Sequence, residues 1–443
     1  MSFPIILVPE AAQVWHLNQQ IAQFETFPLE QQRLIQAQSL RALLTWVAEH
    51  SLFWHERLRS VGWASESDPW LILESLPILT RSDLQDHYDG LSCEKYFPPG
   101  SCVVAQSTGS TGRPVRTLKH KESYHLRYLS YALRGSVWHQ LDVSKTILKY
   151  SARVTDGFSP NWGTPEAWFA KTGDLILCRS MGHNLSDMYE ALKTNRPSYV
   201  VADGSIANAL SHYALEQDPD ERPQVKAILT TGSAITPRIR EECNRAFGAK
   251  VINRYTNEEV GWMAIQCPKH DHLHVMSSNV IIEIVDEAGN TCPAGQRGRV
   301  LVTALHSEAM PIIRYDVGDI AEWGEPCDCG IRLPVIRRVW GREREFVRTP
   351  TGALRHIVLM AEDFLKIAPI TDMRFRYYTN PLLRFEVVCQ KQLTVEQRQL
   401  LSGVVQSLLG FECPVAFDER SAIDWGETDK RISFMVMHQP WIG

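Results

Sequence analysis

The chain lacks long apolar runs. No stretch of its 443 residues approaches the ~18 that a membrane-spanning helix requires, and the N-terminal Phe3-Pro4-Ile5-Ile6-Leu7-Val8-Pro9 is short and interrupted by proline. No membrane partner is expected. The first basic residue is Arg33, so the charged start of a signal peptide is missing and a cytoplasmic setting is expected. Ten cysteines are too few for a disulfide scaffold in a chain this long; in a reducing compartment, clustered ones point to metal. An excess of positive charge is absent too. The net charge is −5 and the 46 lysines and arginines are scattered, which argues against nucleic acid as a partner and for small molecules. There is no internal repeat, no low-complexity segment and no Walker loop, since the Gly-x4-Gly-Lys-Ser/Thr spacing does not occur. What remains is an ordinary globular composition, 44% hydrophobic and 22% charged, in a chain long enough for two or three lobes.

Against this background Ser107, Thr108, Gly109, Ser110, Thr111, Gly112, Arg113 and Pro114 stand out. Glycines let backbone N–H groups turn toward one point, and the hydroxyls add donors, so such a loop suits the oxygens of a phosphate. Upstream, residues 29–59 carry Leu34, Leu40, Leu43, Leu44 and Val47 at helical spacing, with Gly62 closing the run. Downstream, a helix is expected over 124–133, and short buried strands over 146–150, 170–178, 198–202 and 225–230 alternate with helical stretches, which predicts an α/β sheet. Thr236-Pro237 opens a helix that Gly248 stops, and a strand over 250–254 follows. Residues 280–302 read as a β-subdomain, with a hairpin turn at Asp286-Glu287-Ala288-Gly289-Asn290. The last hundred residues read as strand (373–378), strand (384–389), helix (395–409) and strand (414–417), a compact α+β module. The boundary is placed near residue 342, giving a large domain over 1–342, with β-sheets flanked by helices, and a small mobile one over 343–443.

Four segments occur in a fixed order: the hydroxyl-rich loop, Thr231-Gly232-Ser233-Ala234, Asn253-Arg254-Tyr255-Thr256-Asn257-Glu258-Glu259, and Arg314-Tyr315-Asp316-Val317-Gly318-Asp319, with Gly341-Arg342 and Lys430 after them. The set resembles the adenylate-forming, acyl-activating superfamily. Its prelude, Phe53-Trp54-His55-Glu56-Arg57-Leu58 and then Ser75-Leu76-Pro77-Ile78-Leu79-Thr80-Arg81-Ser82-Asp83-Leu84, is similar to that of the phenylacetate–CoA ligase-like branch. The resemblance covers residues 40–345 well and the last hundred weakly. It implies an acyl-CoA synthetase-like fold. ATP would lie with its triphosphate along Ser107 to Gly112 and its adenine between the Gly232-Ser233-Ala234 backbone and the Tyr255 ring. Asn253 would face the purine amine, Asp319 the ribose hydroxyls and Arg342 the ribose or phosphate, while Glu259 would hold Mg²⁺ and Lys430 would offset developing charge. Thr256 stands where the family has glycine, Glu258 where it has a phosphate-binding threonine, and Asp429 where it has glycine. Either Glu258 points away from the phosphates or it, rather than Glu259, holds the metal.

The reaction implied has two steps: a carboxylic acid, aryl or arylacetic, is activated by ATP as its adenylate and then passed to coenzyme A. A carrier-protein thiol or an amine as acceptor, a homodimer, and a non-catalytic nucleotide-binding protein stay open. Phe158, Trp162, Trp168 and Trp262 are candidates to line the acid pocket. A separate cluster joins Cys267, then His270, His272 and His274, to Cys327-Asp328-Cys329, a donor set that suits a tetrahedral structural zinc; the resemblance favours His274 as the nitrogen ligand.

Overall fold

The computed structural model describes residues 8–106, 115–180, 183–232, 235–286, 288–340, 346–351, 354–357, 361–378, 382–389, 391–423 and 434–437. Its centre is a twelve-stranded sheet made of two unlike halves. In one half Ile147–Ser151, Leu175–Arg179, Tyr199–Asp203 and Ala227–Thr231 run parallel, with Gly157–Ser159 antiparallel at the edge. These strands are short and apolar and are separated by helices, which is the pattern that buries both faces of a parallel sheet. In the other half Gly261–Gln266, Leu273–Val275, Val280–Val285, Arg297–Ala304, Tyr315–Trp323 and Val335–Val339 pair antiparallel.

The strand Lys250–Asn257 joins the halves. Its first residues pair in parallel with Ala227–Thr231, and from Arg254 onward it pairs antiparallel with Gly261–Gln266, with a register shift between Tyr255 and Thr256. The expected strand ended at Arg254; it runs on to Asn257 because the second half-sheet supplies new backbone partners.

Helix signals held where they were local. Thr236 caps the helix Pro237–Phe247 by accepting from the Ile239 N–H at 3.2 Å, and Gly248 ends it at φ +66°, a conformation that favours glycine. The helix expected over 29–59 is two helices, Leu29–His50 and Leu52–Ser60. Ser51 adopts an extended backbone between them, and its hydroxyl accepts from the Trp54 N–H. Leu40, Leu43, Leu44 and Val47 are buried as expected, whereas Leu34 is exposed. The strand expected over 170–178 begins only at Leu175, after the short helix Glu166–Phe169.

The prelude residues brace the antiparallel half. Trp54 donates through its indole Nε1 to the Pro311 carbonyl at 3.1 Å, and Leu79 brackets the Asp319-bearing segment, donating to the Arg314 carbonyl and accepting from the Asp316 N–H, both at 3.0 Å. Arg314 is buried and pairs with Glu283 at 3.0 Å while donating to the Glu74 and Leu76 carbonyls. At the other end of the chain Ile370–Tyr378, Leu382–Cys389, Val415–Glu419 and Phe434–Met437 form a four-stranded sheet that packs its Phe375 and Phe385 face against the helix Val395–Leu409, with a core of its own. The Phe434–Met437 strand was not expected from sequence. Among the described residues no helix is long and apolar enough to cross a membrane.

Candidate active site

In a parallel sheet the carboxyl ends of the strands open a crevice where ligands bind, because helix N-termini and loop amides point there. Three strands bring side chains to that edge. Tyr199–Asp203 ends at Asp203, Ala227–Thr231 ends just before Gly232, and Lys250–Asn257 presents Tyr255. Gly232 has φ +80°, a conformation that favours glycine, and a Cβ placed on it would lie 2.5 Å from Asp203 Oδ2, so a larger residue would force the carboxylate or the loop to shift.

Tyr255 donates its phenolic hydrogen bond to Asp319 Oδ2 at 2.8 Å, across 64 residues of sequence. Asp319 reaches this position through a bulge. Asp316 is opposite Leu301 and Ile320 opposite Arg299, so three residues of this strand face a single one of its neighbour, and Gly318 takes φ +76° within the bulge. Asp316 sets the bend: Oδ1 accepts from the Gly318 N–H at 2.9 Å and Oδ2 pairs with Arg299 at 3.0 Å. Asn253 is buried, its N–H donating to Gln266 Oε1 at 2.9 Å.

The two acids after Tyr255 part company. Glu259 is buried, its N–H bonded to Asn257 Oδ1 at 2.6 Å. Glu258 forms an ion pair with Arg153 at 2.8 Å in a half-exposed setting. Beside them lies Lys119, a residue that sequence reading missed. It donates from Nζ to the Glu258 carbonyl and sits 3.9 Å from the centre of the Tyr124 ring. Burial pushes the Lys119 ammonium down to about 8 against the opposing pull of Glu258 and Glu259. Lys119 belongs to Arg116–His120, the strand that follows the hydroxyl-rich loop, so the stem of that loop touches the Tyr255–Glu259 segment.

Next to Glu259 a narrow cavity, part of it open to solvent, runs along the helix Lys121–Trp138. Tyr124, Arg127, Tyr128 and Tyr131 face it from that helix, and Trp262 and His306 face it from the sheet side. Of the four aromatic residues expected to line an acid pocket only Trp262 borders this cavity. Phe158 is exposed on the edge strand, Trp162 meets the Tyr199 ring edge-to-face, and Trp168 packs against Phe169.

The cysteine–histidine cluster lies at the far side of the same half-sheet. Cys267, His274, Cys327 and Cys329 each offer one ligand atom, and all four atoms lie within 4.8 Å of one another. Cys267 Sγ is 3.7 Å from Cys327 Sγ, and His274 Nε2 is 3.2 Å from Cys329 Sγ. Four ligands at ~2.3 Å from a tetrahedral zinc would put two sulfurs roughly 3.8 Å apart, which is the spacing found. The other ring nitrogen, His274 Nδ1, donates to the Leu333 carbonyl, and backbone N–H groups of Lys269, Cys329 and Ile331 point at the three sulfurs. His270 pairs instead with Asp328 at 2.5 Å and His272 stacks on His270, so neither joins the four.

Ser107, Thr108, Gly109, Ser110, Thr111, Gly112, Ser233, Ala234, Arg342 and Lys430 lie outside the described residues.

No family model matches the chain. Among curated proteins it is 25% identical over 333 residues to phenylacetate-coenzyme A ligase of Thermus thermophilus, covering 71% of this chain and 72% of that one. It is 20% identical over 323 residues to protein CapK of Staphylococcus aureus, covering 71% and 69%. Among solved structures, 2-hydroxyisobutyryl-CoA ligase in complex with 2-HIB-AMP and CoA superposes with a TM-score of 0.65 at 18% identity, covering 94% of this chain and 91% of that one. An open conformation of the same ligase gives 0.59 at 17%. The acyl-CoA synthetase-like fold expected from sequence is therefore the fold observed. The chain is thus similar in sequence to phenylacetate-coenzyme A ligase and in fold to 2-hydroxyisobutyryl-CoA ligase.

Proposed function

We propose that the protein uses ATP to activate a carboxylic acid, aryl or arylacetic, as its acyl-adenylate and then transfers the acyl group to the thiol of coenzyme A. In the first step a carboxylate oxygen bonds to the α-phosphorus as the bond to pyrophosphate breaks. In the second the thiol sulfur bonds to the acyl carbon, the bond to AMP breaks, and the thiol proton leaves. The observation that carries the reading is the Tyr255–Asp319 hydrogen bond at the carboxyl edge of the parallel strands, beside Gly232. It joins motif segments that are remote in sequence at the place where this sheet can hold a ligand.

In this reading the Tyr255 ring stacks on adenine and its hydroxyl orients the Asp319 carboxylate toward the ribose. Asn253 serves the purine edge, and Ser107 to Gly112 the phosphates. Glu259, a buried carboxylate at the motif's end, holds Mg²⁺, which supplies charge neutralisation on the phosphate oxygens. Glu258 departs from the family pattern, yet Arg153 offsets its charge, which favours an active enzyme over a protein that merely retains nucleotide. Arg342 and Lys430 complete the site from the junction and from the small C-terminal domain, which swings about residue 342. The cavity beside Glu259 receives the acid, and Cys267, His274, Cys327 and Cys329 hold a structural zinc. All ten cysteines are unpaired in disulfides, as in a reducing cytoplasm.

Hydroxylamine trapping across a panel of acids tests the reaction: acyl-hydroxamate should form with ATP, and its absence with every acid would remove the proposal. Lys430→Ala should abolish most adenylation, by about a hundredfold or more, while ATP binding stays nearly intact. Normal turnover in that variant would mean the lysine is another one.

A further inference from the structure

Given the acid pocket just proposed, on which this inference rests, the cavity's far end holds polar groups that an unsubstituted aromatic acid would leave without use. Tyr124, Arg127 and Tyr131 follow at i, i+3 and i+7 on the helix Lys121–Trp138, one face of the helix at successive depths. Tyr124 is level with Gly261, whose Cβ position would lie 3.3 Å from the tyrosine ring, and with Lys119 beside Glu258 and Glu259. Arg127 is one turn further along, about 4.5 Å of rise, and Tyr131 closes the end with its hydroxyl 2.8 Å from Ser278 Oγ. The reacting carboxylate belongs at the Glu259 end, so whatever meets Arg127 is a different part of the acid.

Arg127 Nε is buried and has no hydrogen-bond partner among the described residues, and Glu308 acts on the guanidinium through space without closing to an ion pair. Trp262 Nε1, on the opposite wall, is a second buried donor in the same condition. His306 lines the same cavity, its Nε2 donating to the Ser278 carbonyl at 3.1 Å; burial holds its ring pKa down to about 4, so it adds no positive charge near pH 7. A desolvated guanidinium Nε–H and an indole N–H left unpaired cost free energy that a ligand bearing oxygen acceptors returns. Around them Tyr124, Tyr128 and Trp262 supply aromatic walls, with the Tyr128 and Trp262 rings 5.8 Å apart.

We propose that Arg127, with Trp262, is a specificity-determining residue that selects an aromatic acid carrying a second oxygen substituent, a hydroxyl or carboxylate, on the side of the ring remote from the reacting carboxylate. Because guanidinium groups bind carboxylates in a forked, charge-assisted geometry, a ring carboxylate is favoured over a hydroxyl.

The test pairs benzoate and phenylacetate with their ring-hydroxylated, ring-carboxylated and ring-methylated partners in the hydroxamate assay, the methyl compounds being size controls. The parent protein should prefer an oxygen-bearing acid over its methyl match by about tenfold or more in kcat/KM. Arg127→Met should erase that ratio, the oxygen-bearing acid losing far more than its methyl match, and Arg127→Lys should restore part of it. A ratio near one in the parent, a ratio unchanged in Arg127→Met, or an equal loss on every acid would each overturn the proposal; the last would assign Arg127 to the reacting carboxylate or to folding. If no acid forms hydroxamate, the reaction proposed above fails, and the pocket is judged by acid-induced thermal shifts. A shift from an oxygen-bearing acid that Arg127→Met removes supports selection, and none with any acid overturns it.

Discussion

At the carboxyl edge of the sheet two contacts join distant segments: a hydrogen bond of 2.8 Å from Tyr255 to Asp319, and Gly232 set close against the Asp203 carboxylate. In the cysteine–histidine cluster, residues from 267 to 329 bring four ligand atoms within 4.8 Å, with a carbonyl and three amides arranged around them. Both are polar sites built from distant chain segments. The difference is closure. The cluster offers four ligand atoms, so a metal held by all of them would have no position open to substrate. The cleft offers a few oriented groups and leaves the rest to an incoming ligand, as the proposed reaction, with its release of AMP, requires. A closed site contributes to folding and an open one to turnover, and substitutions should separate along that line.

The largest effect is expected at the cluster. Cys327→Ser with Cys329→Ser removes two of the four ligands and should lower bound zinc from one equivalent to below about half, with a loss of roughly 3 kcal/mol or more in unfolding free energy. Metal analysis and denaturant titration read both numbers. A variant that is zinc-free yet as stable as the parent would mean the cluster does not pin the antiparallel half-sheet, and the contrast with the cleft would dissolve.

In the cleft, Gly232→Ala should reverse the ranking of effects, harming ligand binding more than folding. The added methyl meets Asp203 Oδ2 at 2.5 Å in a left-handed backbone that alanine adopts with strain of order 1–3 kcal/mol. The loop must shift, and ATP affinity should fall about tenfold or more in equilibrium dialysis. Asp203→Ala in the same chain relieves the contact but not the φ, so the double variant should recover only part of the loss. Full recovery would locate the whole penalty in the carboxylate contact, and no loss in the single variant would show that the edge of this strand is not where nucleotide binds.

What was legible in the sequence follows the same division between local and distant causes. The helix Pro237–Phe247 could be read because its cap, its first proline and its stopping glycine are adjacent to it in sequence. The prelude around Trp54 and Leu79 could be recognised as a pattern, but its task could not: Trp54 and Leu79 grip the backbone at Pro311, Arg314 and Asp316, more than 230 residues away. The break at Ser51 was missed since serine inside an amphipathic run reads as a tolerated helix residue until its hydroxyl is seen to cap. The cysteine–histidine donors were visible as residue types. Asp203 gave no signal because its importance lies in a contact with a glycine on the neighbouring strand. Lys119 and Arg153 were hidden for the same reason: the sequence displays the unusual Glu258 but not the cations that face it.

Those cations define the smallest expected effect, and the one that sharpens the comparison most finely. The Arg153–Glu258 pair is half-exposed, so its direct contribution to stability is only about 0–1 kcal/mol. Arg153→Ala should leave the fold intact and raise the KM for ATP by roughly two- to fivefold, through the acid then left facing the phosphates. Its clearer signature is in pH. Lys119 has a folded pKa of about 8 against an ordinary 10.5, so between those values the unfolded chain holds more protons and stability rises with pH. Arg153 is one of the causes that lower it, while Glu258 and Glu259 raise it. Removing the arginine therefore lifts the folded pKa and shrinks the alkaline gain. Urea midpoints at pH 7.5 and 9.5 should lie closer together in Arg153→Ala than in the parent; an unchanged separation would mean that Arg153 and Lys119 do not share one electrostatic neighbourhood, and that Glu258 answers to the phosphates alone.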